Sequence, residues 1–511
     1  MTGWWRWVGA ATSGLLLWLS FPPLGLGPAA LPACALLIAI TVGQRLRMAF
    51  ALAFGAATVF FLLLLHWLTV VGMDAWLLLA LVCALYFGVM GMGIALVSRL
   101  ALWPIWVAGL WVGQEWLRGS FPFGGFPWGN VAFSQVDTSF GRSSMVLGVL
   151  GATGLLVLTA AALVAAILAA GMQRWRVAGA WALLVLVAAL SPQLLQPPTA
   201  GDRVGGPKAA AIGIVQGGTP ELGLGALDVR RAVLDNHVRE SMKMARQVAA
   251  GTTVRPAFVL WPENSSDLDP FADSAAAAMI GTAVRTLNVP VLVGAVVNIP
   301  DDPTAVFNQG ILWDPVTGPG LTYSKTHPVP FGEYIPFRSL IAPLIDRFDR
   351  IGRDFAAGTR PGLFTIGDIA VGDVICFEIA YNSVIDPLID DGARVLTVQT
   401  NNATYGGTAQ PEQQFAIEQM RALETGRSVV VAATTGISAF INPDGTVQAQ
   451  LDQGQVGGLV REVPLRGQLN PSAWLARPLA GAWALLGSLL ALGVGVRALG
   501  RRKGAQHRVD E

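Results

Sequence analysis

The sequence predicts a membrane protein with two parts: a polytopic domain of about eight transmembrane α-helices and an α/β domain outside the membrane. Three observations support this prediction. Hydrophobic residues make up 53% of the 511 residues and charged residues only 13%, whereas roughly 25% of residues are charged in soluble proteins. Long runs without charge fill the first 200 residues and a stretch near the C-terminus. The segment between them shows the strand–helix alternation of an α/β domain.

The charge-free runs define the predicted membrane spans. A helix needs about 20 mostly apolar residues to cross a bilayer. The prolines and glycines of FPPLGLGP divide the first run into two spans. The shorter segment 100–117 is typical of a span with an aromatic end at the membrane interface. Seven spans are therefore expected before residue 202 and one after residue 473. The runs are 7–44, 48–73, 75–98, 143–173, 177–201 and 478–496.

Arginines in the short loops predict the orientation. If the N-terminus is cytoplasmic, the loops on the opposite side hold only Arg118 and Arg142. The positive-inside rule then places both termini in the cytoplasm and the α/β segment outside it. The expected domains are a transmembrane domain (1–200), an extracytoplasmic domain (202–472), a C-terminal transmembrane helix (473–500) and a basic cytoplasmic tail (501–511). The cytoplasmic basic residues are Arg6, Arg45, Arg47, Arg99, Arg174, Arg176 and the RRK at 501–503.

The extramembrane segment is acidic and large enough to bury a core of its own. Residues 202–476 contain 20 Lys/Arg and 28 Asp/Glu, a net charge of −8, which argues against nucleic acid as a partner. Short apolar runs predict buried strands, and the longer amphipathic stretches between them predict helices. The predicted strands are 209–216, 257–261, 289–297, 370–377, 394–400 and 428–435. The predicted helices are 226–249, 271–287, 381–391 and 408–426.

A further amphipathic helix is predicted over 337–351. It follows the proline- and aromatic-rich loop PVPFGEYIPF (328–337). One interpretation is an ordinary surface helix packed on the domain. The other is a lid that faces the membrane, because spans hold the domain to the bilayer at both ends. Its apolar residues are Phe337, Leu340, Ile341, Leu344, Ile345, Phe348 and Ile351.

Three residues at strand ends could carry chemistry together. Cys376 ends a predicted central strand, Glu263 follows another, and Lys325 follows a further apolar run. Each alone has an ordinary explanation: a buried thiol, a helix cap and a solvated lysine. Ligands of α/β sheets, however, bind at the carboxyl ends of strands. A carboxylate, an ammonium and a thiol at that edge suffice for acyl transfer, with Glu263 as acid–base group, Cys376 as nucleophile and Lys325 at the oxyanion.

At these residues the sequence resembles a known family. The segments LWPENS, YSKTHPVPFGEYIPF and GDVICFEI match, in order and spacing, the Glu–Lys–Cys motifs of the nitrilase superfamily. With the N-terminal spans, the single C-terminal span, FPWGN (126–130) and QMRALETGR (419–427), the chain resembles the bacterial apolipoprotein N-acyltransferase family. The resemblance covers nearly the whole chain.

The resemblance implies an αββα nitrilase-like sandwich and a triad of Glu263 as proton acceptor, Lys325 and the nucleophile Cys376. Phe377 stands where a tyrosine often follows the nucleophile, and Tyr405 where a tryptophan is frequent. Neither difference removes a reacting atom. The residues with implied supporting or substrate-binding roles are Glu333, Tyr334, Phe377, Glu378 and Tyr405.

The implied reaction moves an acyl chain from a membrane phospholipid onto the cysteine. It then passes the chain to the α-amino group of the diacylglyceryl-cysteine of an apolipoprotein, with no metal or organic cofactor. The implied location is the bacterial cytoplasmic membrane.

Two alternatives remain open at this point. A membrane-tethered amidohydrolase would keep the triad and let water accept the acyl group from small extracellular amides. The apolar FPFGGFPWG loop and the 337–351 helix count against it. A transporter or scaffold with a degenerate domain would need neither Glu263, Lys325 nor Cys376, and the spans hold few charges suited to a transport path.

Overall fold

The protein folds into two compact units, seen in a computed structural model that describes residues 3–220, 222–223, 231–344 and 352–507. The first unit combines Met1–Gln196 with Asn470–Glu511, and the second is Pro197–Leu469. The first unit is helical, and the second contains all the strands of the described residues.

Each predicted span coincides with a helix of the first unit. Among the described residues, α3, α4, α7, α14 and α8 with its 3-10 extension are long and apolar enough to cross a membrane. The helices α1, α2 and α5 are shorter, with 17, 12 and 16 residues. The helical membrane region is thus confirmed, whereas the number of spans and their orientation stay predictions. The helices are α1 (Trp4–Ser20), α2 (Ala30–Thr41), α3 (Leu46–Leu64), α4 (Met73–Val97), α5 (Trp103–Arg118), α6 (Ser139–Arg142), α7 (Ser144–Gly171), α8 (Trp175–Leu190) and α14 (Ser472–His507).

Small residues allow these helices to approach closely. A Cβ added at Gly91 of α4 would lie 2.5 Å from the Ala49 carbonyl oxygen of α3. One at Gly109 of α5 would lie 2.5 Å from the Trp483 carbonyl oxygen of α14. Helices in lipid associate by such backbone contacts, because burying apolar side chains gains little in an apolar solvent. The C-terminal helix therefore packs within the N-terminal bundle.

A buried arginine explains the FPWGN segment. Arg118, which ends α5, is 1% exposed. Its guanidinium donates to the Phe126 and Trp128 carbonyl oxygens and to Asn130 Oδ1. Glu115, one turn earlier, accepts from the Val131 N–H at 2.9 Å. These bonds satisfy irregular backbone that would otherwise be costly among apolar helices.

The second unit is a sandwich of two sheets between layers of helices. The first sheet has the order β13-β1-β2-β3-β4-β5, with β6 paired to β4, and the second has the order β12-β11-β10-β9-β8-β7. The strands are β1 (Ala209–Gln216), β2 (Phe258–Leu260), β3 (Val291–Ile299), β4 (Asp302–Asp314), β5 (Gly318–Ser324), β6 (Asp354–Phe355), β7 (Leu363–Ile366), β8 (Ile369–Ile375), β9 (Val395–Thr400), β10 (Ser428–Ala433), β11 (Ser438–Ile441), β12 (Val447–Leu451) and β13 (Gly457–Pro464).

Apolar residues from facing strands form the centre of the sandwich. Ile214 and Leu260 of the first sheet share a buried cluster with Ile375 and Val430 of the second. A separate cluster lies between the outer face of the first sheet and the helices α9 and α10. The helices α12 and α13 contact the second sheet. The expected αββα layering is confirmed. The helices are α9 (Ala232–Ala249), α10 (Ser274–Leu287), α11 (Arg338–Ile341), α12 (Asn382–Asp390) and α13 (Gln410–Thr425).

The sequence predicts the six strands that form the parallel centre of the two sheets and few of the antiparallel ones. All six predicted strands and the four predicted helices are present, with ends shifted by a few residues. The strands β4, β6, β7, β11, β12 and β13 are absent from the predicted set, and β5 appears only as the apolar run before Lys325. Exposed positions interrupt the apolar runs of β4, β12 and β13, whereas β6, β7 and β11 have only two to four residues. Residues 226–230 of the predicted 226–249 helix lie outside the described residues.

The predicted 337–351 helix is described only in part. A short helix begins at Arg338, and a 3-10 turn continues to Leu344. Phe337 and Leu340 are 65% and 71% exposed. Residues 345–351 lie outside the described residues, so the choice between surface helix and lid stays a prediction.

Buried arginines join the two ends of the second unit. Arg394 donates to the Asp202 carbonyl oxygen at 2.7 Å, and Arg427 donates to the Gln468 carbonyl oxygen at 2.8 Å. The Asp202 carboxylate accepts from the Gly467 and Gln468 N–H groups. The chain thus enters and leaves this unit at one place, fixed by hydrogen bonds to charged groups.

A buried histidine makes the second unit sensitive to acid. His237 lies 3.2 Å from the Gly217 N–H and 2.7 Å from the Val233 carbonyl oxygen, which fixes a neutral ring. Burial lowers the pKa of His237 from 6.5 to about 4. Between pH 6.5 and 4, the unfolded chain therefore binds a proton that the folded unit does not bind. A contribution of roughly 3 kcal/mol to the free energy of unfolding is present above pH 6.5 and is lost between pH 6.5 and 4.

We expect the thermal midpoint of the full chain in detergent to fall less between pH 7.5 and 5 in His237→Gln than in the wild type. His66→Gln, at an exposed histidine of the helical unit, is the matched control and should fall as the wild type does. An equally steep fall in His237→Gln would contradict the assignment.

Candidate active site

Polar residues follow the parallel strands at one edge of the sandwich. The strands β1, β2 and β3 run parallel in the first sheet, and β8, β9 and β10 in the second. Glu263 comes three residues after β2, Cys376 directly after β8 and Asn401 directly after β9. The carboxyl ends of these strands therefore bring together residues that are distant in sequence.

The structure places Lys325 between two carboxylates. Its Nζ lies 3.1 Å from Glu263 Oε1 and 2.8 Å from Glu333 Oε1. Lys325 is 1% exposed and Glu263 4% exposed. Asn308 of β4 donates from Nδ2 to both carboxylates, at 2.7 and 3.1 Å. The ammonium thus lies in a buried site in which its charge is compensated.

The Glu263 carboxylate is fixed at both oxygens. Oε2 accepts from the Asn401 N–H at 2.8 Å, while Oε1 is held by Lys325 and Asn308. The Glu263 backbone needs space at β3, because a Cβ at Gly294 would lie 2.1 Å from the Pro262 carbonyl oxygen. Glycine at position 294 therefore lets the PENSS segment cross the sheet edge.

Cys376 lies at a strained backbone position. Its φ is +56°, a left-handed conformation that costs a residue other than glycine of order 1–3 kcal/mol. It begins a 3-10 turn over Cys376–Ala380. Glu378, fully buried in this turn, accepts from the Ile375 N–H at 2.8 Å. The same side chain also accepts from Tyr323 Oη, Thr326 N and Oγ1, and His327 N, at 2.7–3.0 Å.

Glu378 thereby ties the cysteine turn to the segment that carries Lys325. Its five hydrogen bonds reach from β8 to residues 323–327. Removing this carboxylate would leave several buried donors unpaired. An unpaired buried donor costs more free energy than a normal hydrogen bond contributes.

Burial and neighbouring charges have opposing effects on the pKa values of the site residues. Burial raises the pKa of Glu263, although Lys325 acts in the other direction. Burial acts to lower the pKa of Lys325, but Glu263 and Glu333 outweigh it and hold this pKa well above its usual value. Burial, with Glu263 next in importance, raises the pKa of the Cys376 thiol to about 12. At rest the site therefore holds a neutral thiol beside an ammonium.

The aromatic candidates lie around the same residues. The Phe377 ring contacts Tyr381 edge-on, with 5.3 Å between centroids. Burial raises the pKa of Tyr405, and Cys376 and Glu333 add to this effect. Burial also raises the pKa of Tyr334. All the residues predicted from the sequence thus fall within one region, and their roles stay proposals.

Sequence reasoning missed Asn308, Asn401 and the residues that surround the sulfur. Thr400 donates to Cys376 Sγ at 3.2 Å, and Gln414 Oε1 lies 3.9 Å from that sulfur. The available signal was polar residues within apolar runs, as in VFNQGILW around Asn308. No group of three or more His, Cys, Asp or Glu side chains that could hold a metal ion occurs among the residues that the structure describes.

Comparisons with known proteins identify the family of the chain. Residues 13–162 match the family described as the apolipoprotein N-acyltransferase N-terminal domain, and residues 212–467 match carbon-nitrogen hydrolase. The fold and site thus define a carbon–nitrogen hydrolase domain joined to a helical membrane region. The chain belongs to the apolipoprotein N-acyltransferase family.

Several relatives are named apolipoprotein N-acyltransferase. That of Mycolicibacterium smegmatis is 39% identical over 485 residues, which cover 91% of this chain and 80% of the relative. That of Gloeobacter violaceus is 32% identical, covering 58% of this chain and 54% of the relative. That of Pseudomonas aeruginosa PAO1 is 34% identical, covering 45% and 47%.

Among solved structures, an amidase from Nesterenkonia sp. is 15% identical, with a TM-score of 0.37, covering 54% of this chain and 97% of that one. The family resemblance noted in the sequence is confirmed by the family matches and by the Mycolicibacterium relative. The protein is an acyltransferase of this family and a membrane protein.

The raised thiol pKa predicts how Cys376 reacts with an alkylating reagent. Between pH 7 and 10, its rate with iodoacetamide should rise about tenfold per pH unit without a plateau, because the thiolate is the nucleophile and the pKa is about 12. Intact-mass analysis of the full chain should show one adduct, since Cys34 and Cys83 are buried. Cys376→Ala is the control and should show none. A plateau below pH 9 would contradict the raised pKa.

Proposed function

We propose that the protein transfers an acyl chain from a membrane phospholipid, through a thioester on Cys376, to the α-amino group of the N-terminal diacylglyceryl-cysteine of apolipoproteins. The observation that carries this proposal is the cluster of buried Glu263 and Lys325 with the half-buried Cys376, in a chain whose helices are long and apolar enough to cross a membrane. The names of the relatives support N-acylation over hydrolysis of small amides.

In the first step, Glu263 takes the proton of the Cys376 thiol as the sulfur attacks the ester carbonyl of the phospholipid. A thiol with a pKa of about 12 is protonated at rest, so it needs a base within the site. The raised pKa of Glu263 makes it a better base than a solvated carboxylate. A C–S bond forms, the ester C–O bond breaks, and the proton passes from Glu263 to the leaving oxygen of the lysophospholipid.

Lys325 stabilises the negative oxygen of the tetrahedral intermediate. Its ammonium is held by Glu263 and Glu333, so it needs no reorganisation during the reaction. We assign the second donor to the N–H of Phe377, the first peptide group after the nucleophile. The positive φ of Cys376 turns this part of the backbone away from the strand.

In the second step, the amine of the apolipoprotein attacks the thioester. Glu263 accepts a proton from the attacking nitrogen, an amide C–N bond forms, and the C–S bond breaks. The thiolate leaves and takes up the proton from Glu263, which restores the resting site. A hydrolase would use water in this step.

The membrane placement follows from the same proposal. The donor is a membrane lipid and the acceptor is anchored by its diacylglyceryl group, so the enzyme belongs in the bacterial cytoplasmic membrane. We place the second unit on the extracytoplasmic side and both termini in the cytoplasm, as the arginine distribution of the short loops favours.

Cys376→Ser should abolish acyl loading and transfer while folding persists. An alkoxide is far harder to form than a thiolate with only a carboxylate as base. Intact mass after exposure to phospholipid measures the loading, and the thermal midpoint checks the fold. Transfer near the wild-type rate would refute the assignment of the nucleophile.

Glu263→Gln and Lys325→Ala should each slow thioester formation at least ~10²-fold, the scale of losing a general base or an oxyanion donor. The matched control is Lys243→Ala, at an exposed lysine whose Nζ lies 2.6 Å from the buried Glu240 carboxylate, and it should leave the rate unchanged. Normal loading in either site variant would remove the chemical basis of the triad.

Thioester formation should decline as the pH falls through the pKa of Glu263, which lies above its usual 4.5. Protonated Glu263 cannot accept the thiol proton, so the loss is on the acidic side. Single-turnover acylation between pH 4 and 8 measures it, and Glu263→Gln should lack this limb. An unchanged acidic limb in the variant would assign it to another group.

A further inference from the structure

One face of α13 buries amide and carboxyl side chains where a helix normally buries apolar ones. Gln410, Gln414 and Glu418 are spaced four residues apart and are 5%, 2% and 2% exposed. Neither of the two proposed reaction steps uses them. Burying such groups is costly unless they are hydrogen-bonded, so their partners show what they do.

The Gln414 amide is held in one orientation. Its Oε1 accepts from Asn402 Nδ2 and from Gln410 Nε2, both at 3.1 Å. Its Nε2 donates to Glu418 Oε1 and to Thr400 Oγ1, both at 3.0 Å. A flipped amide would set donors against donors on one side. Gln414 therefore presents an N–H to Thr400.

This orientation decides where the Thr400 proton points. The hydroxyl oxygen accepts from Gln414, so its single proton is free for another acceptor. Cys376 Sγ lies at 3.2 Å and Asn402 Oδ1 at 3.4 Å. Sulfur has the larger radius, so the contact with Sγ is the closer fit, and a thiolate would attract the proton further.

We infer that Thr400 is a catalytic hydrogen-bond donor to the Cys376 sulfur and that Gln414 and Glu418 are positioning residues that fix its hydroxyl. This inference rests on the proposed role of Cys376 as nucleophile. Only the thiol proton moves, from Sγ to Glu263, and the Thr400 proton stays on its own oxygen.

The Thr400 hydroxyl acts in both half-reactions. It stabilises the thiolate that attacks the phospholipid ester, and it stabilises the same thiolate when it leaves the thioester. The hydrogen bond from Thr400 lowers the pKa of a thiol that burial raises. In the thioester the sulfur carries no charge and is a weaker acceptor, so the hydrogen bond favours the reacting states over the acyl-enzyme.

Alkylation of Cys376 tests this without any acyl substrate. Iodoacetamide forms a C–S bond and loses iodide, and its rate at pH 8 follows the thiolate population. Thr400→Val keeps the shape and removes the donor. It should slow alkylation about tenfold, the lower end of the loss expected for a hydrogen bond to a charged group. Thr400→Ser should restore the rate to within about threefold, and Gln414→Leu should slow it by less than Thr400→Val.

The matched control lies on the same strand. Thr397 is also fully buried on β9, but its hydroxyl donates to Asp373 Oδ1 at 2.7 Å. Thr397→Val should alter the thermal midpoint of the full chain in detergent without altering the alkylation rate. If Thr400→Val does not fold, the alkylation rate of Gln414→Leu is compared with that of Thr397→Val instead.

Alkylation at the wild-type rate in Thr400→Val, or equal slowing in Thr397→Val, would overturn the inference. The proposed function fails separately. If Thr400→Val slows alkylation but the wild type takes no acyl group from phospholipid vesicles, the hydrogen-bond role of Thr400 is supported and the proposed transferase function is wrong. If acyl transfer is observed while Thr400→Val alkylates normally, the opposite holds.

Discussion

The buried ammonium of Lys325 is the interaction on which the site depends. An unpaired charge inside a protein is very costly, and the Lys325 ammonium is paired with both Glu263 and Glu333. Glu263 comes from the end of β2, whereas Glu333 comes from the loop after β5. Pairing them through one ammonium fixes the distance between these segments, and Asn308 bridges the same two carboxylates. The need to compensate one charge thus organises three parts of the chain.

The same burial makes the thiol a poor nucleophile at rest. A pKa of about 12 for Cys376 means that neutral sulfur, and not a stored thiolate, meets the substrate. A proton must then move during attack, and Glu263 is the base with a raised pKa. Moving a proton from thiol to carboxylate leaves the net charge of the buried cluster unchanged, which suits a site that solvent does not screen. The Thr400 hydroxyl would offset part of the cost of the thiolate.

Strain at the nucleophile is balanced by hydrogen bonds next to it. Cys376 adopts a left-handed conformation that its side chain disfavours. Glu378, two residues on, accepts five hydrogen bonds from both sides of the turn. Such over-determination is what allows a strained residue to persist in a folded protein. The pairing of a strained cysteine with a buried glutamate also explains the spacing of the CFE segment.

The sequence by itself determined the helical membrane region, the central strands and the residues Glu263, Lys325 and Cys376. The apolar runs mark the membrane helices and central strands, because burial of each residue depends on its own transfer free energy from water. The three ionisable residues stand out because they come directly after such runs. Only the tertiary structure decided that Asn308 bridges two carboxylates and that Gln414 orients Thr400 toward the sulfur. Those roles depend on which strands and helices become neighbours. The position of a polar residue within an apolar run does not show which group it will contact. Hydrogen-bond direction is a property of the assembled set of groups, so it appears only when the strand ends and α13 are brought together.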